Sequence, residues 1–156
     1  MFKKKKKVHI PSSKEKKIVP MKALDYPPKI LLAWAKAIEG DDEFSEWLKF
    51  NGFLELHTAC AAISLNEKAR LWLMDNGYPH LLAFIQAAEG NKPATAWLEK
   101  NGFNLLYKMA LAIDGDRDAY AWVKDTQATD IYILMVAIKK TKDEIEDQNN
   151  DPHTFR

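Results

Sequence analysis

Apolar residues recur along this chain at i, i+3, i+4 and i+7, and the stripe they form recurs every 25 residues. Leu31, Trp34, Ala35 and Ile38 make one copy, and Leu81, Phe84, Ile85 and Ala88 make the copy two periods on. That spacing places all four side chains on one face of a helix, the face it must bury. Beside the stripe runs a column of alanines, Ala37, Ala62, Ala87, Ala112 and Ala137, expected where helices approach too closely for a larger side chain. The pattern then breaks at Glu39-Gly40-Asp41, Glu89-Gly90-Asn91 and Asp114-Gly115-Asp116. Glycine there can close a helix in the left-handed conformation. The next column, Asp41, Asn66, Asn91, Asp116 and Thr141, supplies side-chain acceptors for the free N–H groups of a following helix. Thr141 with Glu144 also has the capping-box spacing, which predicts a turn there.

A second helix follows each break. It directs Phe44, Trp47 and Leu48 inward in the first copy and ends at Asn51-Gly52, with Phe53 as the apolar contact beyond the cap. Trp47, Trp72, Trp97 and Trp122 stand one period apart, next to Leu48, Leu73, Leu98 and Val123. Their constant spacing predicts that the tryptophans are core anchors. The fourth copy has Asp125-Thr126-Gln127 in place of Asp-Asn-Gly, which predicts a looser helix end. A fixed period of this length is the mark of a solenoid, whose units bury their apolar faces only against neighbours. The expectation is an all-α fold: an α-solenoid of about four and a half 25-residue helix-turn-helix repeats over residues 23–147. A disordered basic tail, 1–22, precedes it and a flexible tail, 148–156, follows.

Leu56-His57-Thr58-Ala59-Cys60 and Trp97-Leu98-Glu99-Lys100-Asn101-Gly102 resemble the two helices of an ankyrin repeat, without that family's β-hairpin. The resemblance spans roughly residues 28–140. It implies stacked helical hairpins and a protein-binding role, and it carries over no catalytic residue.

Charge adds a division that the helical pattern does not show. Residues 1–22 carry a balance of +8 and residues 23–156 a balance of −7, within a net charge of +1. Lys3, Lys4, Lys5, Lys6, Lys7, Lys14, Lys16 and Lys17 could meet phosphates of nucleic acid or of an anionic surface. No arginine accompanies them, which argues against base-specific readout. No apolar run follows Lys3–Lys7 as a signal peptide requires, and none approaches the ~18 residues of a membrane span. The single cysteine, Cys60, excludes an internal disulfide and suits a reducing compartment, so a cytoplasmic location is expected.

Candidate chemistry is sparse. Asp114-Gly115-Asp116-Arg117-Asp118 imitates the start of a calcium loop, but Ala119 stands where glycine is needed and Asp116 falls in the cap column. It reads as a helix–helix turn. His57 and Cys60 are three apart on one helix, as a thiol–imidazole pair would be, yet Cys60 lies in the core column of Ala35, Ile85, Ala110 and Met135. His9, His80 and His153 form no ligand cluster, so neither metal nor cofactor is expected. Glycine-rich phosphate loops and nucleophile elbows are absent from the sequence.

The last helical segment is apolar on every side from Ile131 to Ile138 and must be covered. Ile145 alone is a poor lid. Tyr107, Leu111, Tyr132, Ile133 and Val136 are therefore the candidate protein-binding surface. The expected function is a non-enzymatic adaptor or assembly subunit that binds another protein, or a second copy of itself. The alternative is a ribosome- or nucleic-acid-associated factor held by the lysine tail, with an enzyme as the third class.

Overall fold

The computed structural model describes residues 19–150. It is all-helical over that range, with nine helices among the described residues. In chain order they are α1 (Pro28–Ile38), α2 (Asp42–Phe50), α3 (Leu54–Ile63), α4 (Glu67–Asp75), α5 (Pro79–Ala88), α6 (Lys92–Lys100), α7 (Asn104–Ile113), α8 (Arg117–Thr126) and α9 (Thr129–Asn150). Each helix packs on the next, as a solenoid of hairpins requires.

The turns follow the caps. Asp41 accepts from the backbone N–H groups of Glu43 and Phe44, while Asn66, Asn91 and Asp116 each accept from the third residue onward at 2.9 Å. At the other end of the second helices, the amides of Asn51, Asn76 and Asn101 donate to the carbonyls of Trp47, Trp72 and Trp97 at 2.7, 2.8 and 2.8 Å. The glycine that follows each asparagine turns left-handed, and the N–H of Phe53, Tyr78 or Phe103 then closes back on the carbonyl of Leu48, Leu73 or Leu98. In the fourth copy Thr126 Oγ1 donates to the Trp122 carbonyl, and Gln127 stays in extended backbone with φ −102°.

The odd-numbered helices form the inner layer. The stripe of Leu31, Trp34, Ala35 and Ile38 is buried, as are Leu81, Phe84, Ile85, Ala88 and all five alanines of the close-approach column. The even-numbered helices lie outside and bury little beyond one row, with Leu48, Leu73, Leu98 and Val123 each at 0% exposure.

Three expectations need correction. The repeating tryptophans are not core anchors: Trp47 is 44% exposed and Trp72, Trp97 and Trp122 are half-buried. They lie flat on the aromatic residue beyond the cap, Trp47 on Phe53, Trp72 on Tyr78 and Trp97 on Phe103. Trp122 has Ala128 in that place and meets the Lys108 ammonium, 5.8 Å from its ring centre. Phe44, expected inward, is 39% exposed. The predicted turn at Thr141 is also absent: Lys140 stands in the column occupied elsewhere by Gly40, Leu65, Gly90 and Gly115, and α9, 22 residues long, runs through it unbroken.

That unbroken helix joins the two ends of the repeat array. α9 packs on α7 and α8 on one side and along α1 on the other, so α1, α3, α5, α7 and α9 form a closed circuit. Thr141 Oγ1 donates to the Ile38 carbonyl at the end of α1 at 3.3 Å. Lys139 Nζ donates to the Ile113 carbonyl at the end of α7, and Lys142 Nζ lies 3.6 Å from Asp114 Oδ1. The apolar α9 is covered chiefly by the first helix of the chain.

Residues 19–27 run across the opposite end of the circuit as an extended strap. The Lys22 N–H donates to the Gly77 carbonyl at 2.7 Å, and Tyr26 Oη donates to Glu55 Oε2 at 2.6 Å. Leu24 and Tyr26 pack on the core between and beside these anchors.

Candidate functional site

Two places in this frame are unfinished. The first is the seam where α9 meets α1. At every other junction of consecutive inner helices, an outer helix spans the pair: α2 packs on α1 and α3, α4 on α3 and α5, α6 on α5 and α7, and α8 on α7 and α9. Because α9 does not turn at Lys140, no fifth outer helix exists among the described residues to span α9 and α1. The seam is left with large apolar side chains at its surface: Leu32 at 39%, Ile133 at 41% and Phe44 at 39% exposure. They line a groove of about 500 Å3 with Lys29, Lys36 and Glu39 on its rim. A second groove, of about 290 Å3, continues from it over Lys29, Ala33 and Phe44 to Trp47 and Glu43.

The sequence-derived protein-binding residues separate around this seam. Ile133 lies in the groove. Tyr107, Leu111, Tyr132 and Val136 are half-buried and pack against the core. Tyr132 turns toward α8, where its hydroxyl is 3.1 Å from that of Tyr120 and the rings meet edge-on. The hydrogen bond to Tyr132 is the main reason that the Tyr120 hydroxyl titrates above its ordinary range. Leu32, Phe44 and Trp47 were not singled out as binding residues from the sequence. Lys140 in the glycine column was a partial signal, since Leu65 in the same column still makes its turn. Lys3, Lys4, Lys5, Lys6, Lys7, Lys14, Lys16 and Lys17 lie outside the described residues.

The second place is the strap end of the circuit. Glu55, 8% exposed, is held there by Tyr26, whose hydroxyl is pushed strongly up by burial and by that carboxylate. Burial and Glu55 also raise Tyr78. His80, 2% exposed, sits between the rings of Tyr78 and Phe103, and burial holds its imidazole below the usual histidine range. Its Nδ1 has no hydrogen-bond partner.

The other chemical candidates resolve into structural roles. Asp116 caps α8 and Asp114 faces Lys142, so the calcium-like string is a turn. His57 Nδ1 lies 3.0 Å from both the carbonyl and the hydroxyl of Ser45, which directs it to α2. Cys60 is pushed up to about 12 by burial, opposed by the Trp34 indole beside it, and so holds its proton at neutral pH. Among the described residues, no group of three or more His, Cys, Asp or Glu side chains is placed to hold a metal ion. No helix among them is long and apolar enough to cross a membrane. No family model matches the chain, and neither a curated protein nor a solved structure does.

Proposed function

We propose that this chain is a non-enzymatic protein-binding module whose partner lays a helix into the α9–α1 seam. The observation that carries the reading is the bare junction itself. Four equivalent junctions show what fits there, an outer helix with a buried leucine or valine row, and the fifth offers Leu32, Ile133 and Phe44 to a helix from another chain. Exposed aromatic and aliphatic side chains lining a groove are the usual anchors of such contacts. The ankyrin-like character of the helix pairs supports the same role.

The test is a comparison of the full chain with the double variant Phe44→Glu, Ile133→Lys. Both side chains are already partly exposed, so the variant should keep the helical signal and melting temperature of the parent. It should lose at least tenfold in partner recovery or in self-association measured by light scattering. Undiminished binding by a folded variant overturns the seam as the interface. The +8 charge of residues 1–22 supports a second reading, nucleic-acid or other polyanion binding through the lysines. Salt-sensitive RNA recovery that survives the double variant and disappears on deletion of residues 1–18 would favour it.

A further inference from the structure

The circuit of inner helices surrounds a partly open pocket. It measures about 240 Å3 and is walled by α1, α5, α7 and α9, with the strap across its mouth. Leu31 and Trp34 come from α1, Phe84 from α5, Leu106 and Met109 from α7, and Leu134 from α9. Its wall is mostly apolar, with Trp34, Phe84 and Met109 each at or below 3% exposure. Its polar groups come from the Asp25 carboxylate and Tyr26 hydroxyl of the strap and from the Trp34 indole, whose buried Nε1 has no hydrogen-bond partner. Protein interiors are packed as densely as organic crystals and hold few voids larger than a water molecule. A dry cavity of about 150 Å3 lined by Leu, Ile and Phe takes up benzene, because apolar walls offer water no hydrogen bonds. The present cavity is larger, and by that scale it holds an apolar group of roughly ten non-hydrogen atoms.

A way in exists. A second hollow of about 540 Å3 lies on the outer side of Leu24, and it shares Leu24, Leu105 and Leu106 with the inner one. It is more polar, bordered by Lys22, His80 and Asn104. Leu24, on a strap anchored at Lys22 and Tyr26, therefore borders both the outer vestibule and the inner, mostly apolar pocket. The side chains of Leu24, Leu105 and Leu106 line both hollows, and all three are half-buried.

We propose that the axial cavity is a binding site for a small apolar group, either a free hydrocarbon-like molecule or the alkyl end of an amphiphile whose head remains in the vestibule. This rests on the cavity alone and stands independently of the α9–α1 seam. The probes are toluene for the first source and octanoate for the second, added to the full chain with Met and Leu methyl groups labelled for NMR. Saturable shifts of the Met109 and Leu134 methyls, with a rise in melting temperature, are expected from at least one probe. A response to octanoate without one to toluene assigns the amphiphile, and the converse assigns the free molecule. Leu106→Trp should fill the chamber, abolishing the Met109 response while the unliganded protein melts no lower than the parent. Leu106→Phe serves as the milder filling should the tryptophan variant not fold. Two results overturn the proposal: no methyl response at Met109 and Leu134 to either probe, or a Met109 response undiminished in a folded filled variant. Shifts confined to Leu32 at the seam count with the first of these.

Discussion

Trp97 and Leu98 are neighbours in α6, and both head columns that repeat with the same period, yet their surroundings differ sharply. Leu98 and its counterparts Leu48, Leu73 and Val123 are each at 0% exposure, whereas Trp97 and its counterparts remain partly in water. The leucine row points between two inner helices, where one outer helix must lock a junction. The tryptophan row lies one residue earlier, about 100° round the helix, and covers the glycine turn by lying on the aromatic side chain beyond it. Constancy of a column thus shows that the same contact recurs, and leaves open whether that contact is deep or superficial.

The difference should be large in energy. Leu98→Ala removes a fully enclosed side chain and should cost about 4 kcal/mol. Trp47→Ala removes a half-exposed ring and one stacked pair, at a cost of about 1 kcal/mol beyond its modest burial. Chemical denaturation of the two variants decides the matter, and a larger loss for Trp47→Ala would reverse the assignment of the two columns.

A second comparison separates copies of one column. Gly77 and Gly102 both have positive φ, +93° and +84°, so a side chain at either is strained. A Cβ at Gly102 meets nothing within 4 Å, but at Gly77 it would come within 2.7 Å of the Pro20 carbonyl of the strap. Gly102→Val should cost about 1–2 kcal/mol from backbone strain. Gly77→Val should cost about 1–3 kcal/mol more from the collision. Gln127→Val, in the same column at a φ of −102°, should be nearly neutral. Equal melting temperatures for the two glycine variants would mean that the strap does not hold its place against Gly77.

How much of this was legible from residues alone depends on whether the cause was local. Helix faces, the alanine column and the side-chain caps at Asp41, Asn66, Asn91 and Asp116 follow from spacing and from unsatisfied backbone donors, and they appear as read. Closure of the circuit does not follow from any local rule. It depends on the accumulated rotation between hairpins, which brings α1 back to α9. The residues expected as a partner surface are dispersed for that reason: Tyr132 turns toward α8, while Ile133 stands at the α9–α1 seam with Leu32 and Phe44. The strap was hidden by composition, since Lys22 belongs by charge to the tail and by hydrogen bonding to Gly77.

His80 tests the strap in a different way. Its column contains Ile30, Glu55, Leu105 and Asp130, and only this copy places an imidazole beneath the strap. Burial lowers its pKa in the folded chain, so the unfolded chain binds the proton more readily. The stability that follows is complete above the unfolded value of about 6.5 and is lost as pH falls through it. Relative to the parent, His80→Gln should therefore flatten the decline in melting temperature between pH 7.5 and pH 5. An unchanged slope would show that the imidazole becomes protonated without leaving its place between Tyr78 and Phe103.

The smallest expected effect is a gain, and it again sets one copy against its counterparts. Leu65 stands where Gly40, Gly90 and Gly115 stand in the other hairpins, and it adopts the same left-handed backbone, with φ +71°. A leucine there is strained by about 1–2 kcal/mol relative to glycine. Its side chain offers little in return, since it is 51% exposed at the turn between α3 and α4. Part of the relief is offset, because glycine leaves the unfolded chain more freedom to lose, by roughly 0.5–1 kcal/mol. Leu65→Gly should thus raise stability by about 0.5 kcal/mol, the difference between those two terms. Gly90→Ala, the reverse change in the third hairpin, should lower it through backbone strain alone, since its Cβ would stand in ordinary contact with Asp114 Oδ1 at 3.4 Å. A fall in melting temperature for Leu65→Gly would mean that the exposed leucine contributes apolar contact worth more than the strain it carries, and the second turn would then differ from its counterparts in kind rather than in residue alone.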